Sequence, residues 1–158
     1  MKTDEIIALS NVRLERAKEC LSDAQATLEE GRFKTAANRS YYAVYNAIRS
    51  VLAFDGIDMK RHSGTISEFR KLYIKTNIFS EDMSDKIGVL FNVRQKSDYD
   101  DFYVISKEET IEQVRSAQEI IENIEQYIIN RSKILKTSLD ETNEEDAPIL
   151  TMSDNSRK

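Results

Sequence analysis

The residues from 86 to 103 combine an apolar helical face with a tight group of polar side chains that could do chemistry. The face consists of three residues at helical spacing, Ile87, Leu90 and Phe91. It continues three residues later at Arg94, and a charged side chain on such a seam is costly to bury unless it has a partner or faces a cleft. Asp98 lies four residues further on, where it can supply that partner. We therefore predict a functional site formed by Arg94, Asp98 and the adjacent Tyr99.

This cluster is compatible with three functions that rest on different chemistry. In the first, the Arg94 guanidinium binds a phosphate and stabilises charge that develops during RNA cleavage, while Asp98 or Tyr99 positions or deprotonates the attacking 2′-hydroxyl. In the second, Arg94 and the acidic residues after it form a docking surface for a partner protein. In the third, Tyr99 is exposed at a helix end and is a target for modification. A plain surface ion pair between Arg94 and Asp98, worth a few tenths of a kcal/mol, fits the spacing as well.

Four further residues are candidates for binding: Tyr42, Asn46, His62 and Lys96. Tyr42 and Asn46 lie off the main seam of the predicted second helix, where they can face a neighbour or a cleft. Lys96 belongs to the same stretch as Arg94. His62 is the only histidine, and its imidazole titrates near neutrality, so it is either a catalytic group or a loop residue that hydrogen-bonds the chain near Ser63.

Composition bounds the class of protein. The chain has 158 residues and a net charge of −5, so the whole molecule does not have the basic character of a nucleic-acid-binding protein. A local basic patch is nevertheless compatible with the run from Lys60 to Lys75, where five basic residues accompany one acid, Glu68. One cysteine and one histidine argue against a zinc site built from those ligands, and we expect neither a metal nor a cofactor. No apolar run is long enough to span a bilayer and the first residues lack a signal-peptide core, so we expect a cytoplasmic protein without membrane contact.

Few turn-forming residues and repeated apolar seams predict an all-α protein, an antiparallel bundle of four to five helices. We expect the first helix over residues 4–30, with Gly31 as its stop, and the second, central helix over residues 33–54. Ser63, Ser80 and Ser106 are the predicted N-caps of the third, fourth and fifth helices. The fifth helix is expected to end near Arg131. We therefore predict a bundle over residues 1–132 and an acidic, flexible tail over residues 133–158.

The motifs of this chain resemble those of the HEPN family (higher eukaryotes and prokaryotes nucleotide-binding), and in particular its small stand-alone prokaryotic members. The resemblance is carried by the RSYYAVYNA sequence of residues 39–47, HSG of residues 62–64, YIKT of residues 73–76 and RQKSDYDDF of residues 94–102. The last of these is similar to the branch's Arg-x-x-x-Asp-Tyr signature. The match covers roughly residues 4–131 and leaves the predicted tail outside it.

The resemblance implies a helical bundle that works as a homodimer. It implies one of two activities: metal-independent cleavage of RNA as a toxin, or service as the partner of a small nucleotidyltransferase encoded beside it. Arg94 matches the catalytic arginine of the nuclease members, whereas Tyr99, Asp100 and Asp101 occupy the window in which those members carry a histidine. In some family toxins the partner enzyme adenylylates a tyrosine near the motif, and Tyr99 stands at such a position.

We therefore predict that the chain is the helical partner of a small nucleotidyltransferase in a two-gene, toxin–antitoxin-like system. The alternative is an endoribonuclease toxin that uses Arg94 with Tyr99 or Asp98. A further alternative is a module that binds RNA or a nucleotide without turnover.

Overall fold

The computed structural model describes residues 1–145, and these form five α-helices without a strand. The all-α antiparallel bundle predicted from the sequence is confirmed. The helices are α1 (Thr3–Glu29), α2 (Phe33–Leu52), α3 (His62–Phe69), α4 (Glu81–Tyr99) and α5 (Lys107–Glu145). A short 3-10 turn (Ala53–Asp55) follows α2, and a π turn (Arg70–Ile74) follows α3.

A tight turn at Gly31 folds α1 and α2 into an antiparallel hairpin. Gly31 has φ of 74°, a left-handed conformation that favours glycine. The Arg32 N–H donates to the Thr27 carbonyl over 2.9 Å and the Gly31 N–H donates to the Leu28 carbonyl over 3.0 Å. These two bonds satisfy carbonyl groups that the end of α1 would leave unpaired. Further along the hairpin, the buried Ser10 hydroxyl donates to the Ser50 carbonyl over 2.8 Å.

Helix α2 is the central element, because it packs against α1, α4 and α5. Small residues on it, including Ala36, Ala43 and Ala47, are fully buried and let the neighbouring helices approach closely. The larger core side chains of α2 are Tyr41, Val44, Ile48, Val51 and Leu52. Helix α4 runs antiparallel to α2, and its apolar face contributes Ile87 and Leu90 to the same core. This packing brings the C-terminal half of α4 against the N-terminal half of α2.

Two of the three predicted N-caps are confirmed and one is wrong. The Met83 N–H donates to Ser80 Oγ over 3.1 Å at the start of α4, and the Glu109 N–H donates to Ser106 Oγ over 3.0 Å at the start of α5. Helix α3, however, begins at His62 after Arg61, so Ser63 lies within its first turn. His62 is therefore a helical residue, which fixes its side chain against α2.

The prediction that the fifth helix ends near Arg131 is wrong. Helix α5 has 39 residues and continues to Glu145. No glycine or proline interrupts residues 132–145, so the backbone has no local reason to leave the helical conformation. The rest of the predicted tail, residues 146–158, lies outside the described residues, and the boundary at residue 132 stays a prediction. Over residues 1–145, no helix has the length and apolar character that crossing a membrane requires.

Candidate functional site

Arg94 lies in the groove between α4 and α2, with most of its side chain buried. Its Nε is 3.0 Å from Asp98 Oδ2, and the two side chains are 14% and 21% exposed. The ion pair expected from the spacing is therefore present, in a partly buried setting. Arg94 Nη2 donates to Tyr42 Oη over 3.1 Å, and the guanidinium carbon is 5.4 Å from the ring centroids of both Tyr41 and Tyr42. Arg94 thus joins its own helix to the tyrosines of α2.

The hydrogen bonding of Arg94 is incomplete despite these contacts. Although Nε is close to Asp98, the N–H is not directed at the carboxylate, and Nε is a buried atom without a hydrogen-bond partner in the described chain. Only Nη2 donates a hydrogen bond to another described residue. Buried polar groups in folded proteins are nearly always satisfied, so this guanidinium keeps hydrogen-bonding capacity that the described residues do not use.

A second arginine approaches the same tyrosine from α2. Arg39 donates from Nε and Nη2 to Asn38 Oδ1 over 3.2 and 2.7 Å, and its guanidinium carbon is 5.2 Å from the Tyr42 ring centroid. Asn38 Nδ2 in turn donates to Asp98 Oδ2 over 3.4 Å. Two guanidinium groups therefore flank Tyr42, and one carboxylate, that of Asp98, lies between the two helices.

His62 packs against the tyrosines of α2 beside Arg94. Its Nδ1 is 2.9 Å from Tyr41 Oη, its ring stacks on Tyr45 with centroids 4.1 Å apart, and its edge faces Tyr42 at 5.8 Å. Burial, followed by repulsion from Arg94 and Arg49, lowers the pKa of His62 below its usual 6.5. The imidazole is therefore mainly neutral at pH 7 and can accept a proton. The prediction of a loop histidine that bonds the chain near Ser63 is wrong, because His62 belongs to α3 and contacts Tyr41. A catalytic role for His62 stays a prediction.

Tyr41 is the buried centre of this aromatic group. Burial raises the pKa of its hydroxyl, and the nearby charge of Arg94 opposes that change only in part. The hydroxyl consequently keeps its proton at neutral pH. Tyr41 supports the imidazole of His62 as a neutral hydrogen-bonding partner.

Tyr99 occupies the last position of α4, at the edge of the cluster. Its side chain is exposed (72%), and its ring centroid is 5.8 Å from the Arg94 guanidinium carbon. The chain that follows is also open to solvent: Phe102 is 97% exposed. The phenol of Tyr99 is therefore accessible to another molecule, whereas the Arg94 side chain beneath it is largely covered.

The structure brings Arg94, Asp98, Tyr99, Tyr42 and His62 together and leaves two predicted residues outside. The Asn46 side chain donates to the Tyr42 carbonyl over 2.9 Å and is 4.0 Å from Cys20 Sγ on α1. It therefore turns away from Arg94. Lys96 is exposed, with Nζ 5.9 Å from the Tyr103 ring centroid.

Asn38 and Arg39 are members of the cluster that the sequence did not single out as site residues. Arg39 was part of the quoted motif, but its contact with Tyr42 depends on a side-chain direction that spacing does not give. Within residues 1–145, no three His, Cys, Asp or Glu side chains are grouped so that they could hold a metal ion.

Comparison with known proteins places this arrangement in a family. A family profile of the HEPN domain matches residues 10–127, which is most of the chain and contains every residue of the cluster. The chain belongs to the HEPN family.

Its relatives include a UPF0332 protein of Thermotoga maritima, 29% identical over 113 residues, a match that covers 72% of this chain and 86% of the relative. A protein named "Putative toxin" from Methanocaldococcus jannaschii is 29% identical over 129 residues. That match covers 82% of this chain and 87% of the relative. Among solved structures, an archaeal HEPN homologue superposes with a TM-score of 0.59 at 19% identity, covering 75% of this chain and 97% of that one.

These findings confirm the resemblance drawn from the motifs and the HEPN fold. In this HEPN domain Arg94 is held by α2 tyrosines and accompanied by His62, a histidine supplied by α3. The last 18 residues of α5 lie beyond the matched range.

Proposed function

We propose that this HEPN protein is the helical member of a two-gene, toxin–antitoxin-like system, that it works as a homodimer, and that a small nucleotidyltransferase is its partner. The observation that carries the proposal is the exposed phenol of Tyr99 beside the guanidinium of Arg94. Relatives from Methanocaldococcus jannaschii that carry a toxin name support the same class of system.

The chemistry of Tyr99 suits it as the residue on which the partner acts. In the transfer, Tyr99 Oη attacks the α-phosphorus of ATP, a phenolic O–P bond forms, the bond to the bridging oxygen breaks, and pyrophosphate leaves. The phenolic proton passes to a base of the partner enzyme. The new phosphodiester carries a negative charge, and the adjacent Arg94 guanidinium, which has unused N–H groups, can stabilise it. Modification would then cover the cluster and silence it.

Coexpression with the small nucleotidyltransferase of a neighbouring gene tests this proposal. We expect the two proteins to copurify and the intact mass of the HEPN chain to increase by one AMP. Tyr99→Phe should abolish that increase. Tyr103→Phe is the matched control, because Tyr103 lies four residues away and its hydroxyl bonds Glu109 instead of facing Arg94. Absence of both copurification and modification, or equal modification of Tyr99→Phe, would contradict the proposal.

A second candidate function is metal-independent cleavage of RNA. The approach of Arg94 and Arg39 to Tyr42 favours it, because two guanidinium groups can hold a phosphate there. Asp98 or Tyr99 would position or deprotonate the 2′-hydroxyl. Expression of the wild type should arrest growth and Arg94→Ala should relieve the arrest. If both are equally harmless and purified wild type leaves RNA intact, this function is ruled out.

A further inference from the structure

A cavity lies between α3 and α4, next to the Arg94 cluster but without Arg94 in its wall. Its volume is about 280 Å³, and six residues line it: Ser63, Ile66, Arg70, Gly88, Phe91 and Asn92. Phe91 separates the two regions, since its ring centroid is 5.9 Å from that of Tyr41 on the other side. None of the proposed roles of the cluster uses this cavity.

Arg70 gives the cavity a positive charge that no carboxylate neutralises within residues 1–145. Its Nε donates to Ser84 Oγ over 3.0 Å and its Nη2 donates to the Ser84 carbonyl over 3.3 Å. Both partners are uncharged, and Nη1 donates to none of the described residues. By contrast, Arg13, Arg49, Arg94 and Arg131 each form an ion pair with an aspartate. Arg70 therefore keeps a positive charge and free N–H groups that an anion from outside can use.

Gly88 gives the guanidinium of Arg70 room beside α4. A Cβ atom at residue 88 would lie 3.3 Å from Arg70 Nη2, so the guanidinium would have to move by a few tenths of an ångström. The absence of a side chain at residue 88 therefore favours the observed position of Arg70 in the cavity wall.

The remaining wall offers both donors and apolar surface. The Ser63 hydroxyl and the Asn92 amide can donate hydrogen bonds to an anion, and Ile66 and Phe91 form an apolar side suited to a ring. The surrounding segment strengthens the positive potential, because residues 60–75 carry Lys60, Arg61, Lys71 and Lys75 besides Arg70 and only one acid, Glu68. On α4, Asp85 is exposed and forms no ion pair with Arg70.

We propose that the cavity between α3 and α4 binds a small phosphate-bearing ligand, with Arg70 as its cation and Ser63 and Asn92 as further donors. The site goes beyond the proposed function, since it requires neither Arg94 nor Tyr99. Its phosphate can belong to free inorganic phosphate or to a nucleotide whose ring lies against Phe91.

Calorimetric titration of the full chain with AMP, inorganic phosphate and adenosine tests the proposal and identifies the source of the phosphate. Tighter binding of AMP than of phosphate assigns a nucleotide, and equal binding assigns the free anion. Binding of adenosine as tightly as AMP, or binding of none of the three probes, overturns the proposal.

Variants separate this site from the Arg94 cluster. Arg70→Gln should weaken binding at least tenfold, whereas Arg115→Gln, which removes the same charge from an exposed position, should not. Because Arg70 also tethers Ser84, Asn92→Leu is the second test: it replaces the amide donor by an apolar group of similar size without touching that contact, and it should also weaken binding at least tenfold. Helix content from circular dichroism confirms that each variant is folded.

Arg94→Ala shows which of the two regions holds the ligand, because the Arg94 cluster is the other place at which guanidinium groups can hold a phosphate. If Arg94→Ala abolishes binding while Asn92→Leu leaves it intact, the ligand occupies the Arg94 cluster and the cavity proposal is wrong. That result would leave the proposed function standing. Conversely, failure of the Tyr99 experiment would not change the outcome expected here.

Discussion

Two arginines of this molecule, Arg131 and Arg94, have similar neighbours but differ in how many of their N–H groups form hydrogen bonds. Arg131 on α5 donates from Nη1 to Tyr73 and Tyr127 over 2.7 and 3.1 Å, lies 3.9 Å from Asp55, and stacks over the ring of Phe54. We call this group the Arg131 network. Arg94 also has tyrosines and an aspartate around it, but it makes one hydrogen bond and leaves its buried Nε unpaired.

The neighbours of Arg131 are also more fully hydrogen-bonded to one another than the neighbours of Arg94. In the Arg131 network the Tyr73 hydroxyl donates to Asp55, so the residues bind one another and join the turns after α2 and α3 to α5. Around Arg94 the contacts are looser: His62 bonds Tyr41 rather than the arginine, and the phenol of Tyr99 is exposed. The comparison teaches that similar residue types can surround an arginine that is fully engaged and one that keeps unused hydrogen-bonding capacity. A functional role for Arg94 stays a prediction.

Removal of Arg131 should have the largest effect on stability. Arg131→Ala deletes two hydrogen bonds and the stacking contact with Phe54, and should lower the free energy of unfolding by about 2–3 kcal/mol. Urea denaturation measures the change. Arg115→Ala, an exposed arginine of the same helix, is the control and should change it by no more than about 0.5 kcal/mol. A loss for Arg131→Ala as small as that control would remove the structural role assigned to the network.

Removal of Arg94 should affect function more than folding. Arg94→Ala loses a largely buried ion pair and one hydrogen bond, but Asp98 keeps its bond from Asn38, so we expect about 1–2 kcal/mol of destabilisation, less than for Arg131→Ala. Binding of the proposed nucleotidyltransferase partner should weaken at least tenfold, while Arg131→Ala, studied at a temperature where it is folded, should bind normally. If Arg94→Ala unfolds as easily as Arg131→Ala and binds its partner unchanged, the contrast between the two arginines is lost.

The smallest expected effect is a change in the pKa of His62. It can be measured without assignment, because His62 is the only histidine of the chain. We expect the single imidazole signal in NMR to titrate below pH 6.5 in the wild type and at a higher pH in Arg94→Ala, because a repelling charge has been removed. Arg131→Ala should leave the titration unchanged. An unaltered midpoint in Arg94→Ala would show that Arg94 does not contribute to the lowered pKa of His62.

The same shift has a consequence for stability. The pKa of His62 is lower in the folded chain than in the unfolded chain, so the unfolded state binds more protons near pH 6.5 and below. Stability should therefore fall as pH drops from 7 through 6.5 towards the folded pKa, and His62→Gln should reduce that dependence.

Local patterns account for the parts of the fold that the sequence predicted. The apolar seams of α1, α2 and α5 and the serines before α4 and α5 act within one helix, so their spacing is enough to find them. The end of α5 was missed because polar, acidic composition resembles that of a tail, although residues 132–145 contain nothing that stops a helix. The π turn was not predicted because its bond from the Lys75 N–H to the Arg70 carbonyl, 2.9 Å long, has no counterpart in the spacing of apolar residues.

In the candidate site, too, contacts within one helix were predictable from the sequence and contacts between helices were not. The Arg94–Asp98 pair was predictable because both residues belong to one helix, four positions apart. The approach of Asn38 to Asp98 joins positions 60 residues apart, and the contact of His62 with Tyr41 joins positions 21 apart. Those contacts follow from how α2, α3 and α4 pack, and single-helix periodicity carries no information about that packing.

The chain has no tryptophan and seven tyrosines, and four of these, Tyr41, Tyr42, Tyr45 and Tyr99, surround Arg94 and His62. The ultraviolet emission of the unlabelled protein therefore includes that of four tyrosines at the candidate site. Protonation of the imidazole, esterification of Tyr99 or arrival of a partner should each alter its intensity. Tyrosine emission is therefore an intrinsic optical probe of the candidate site.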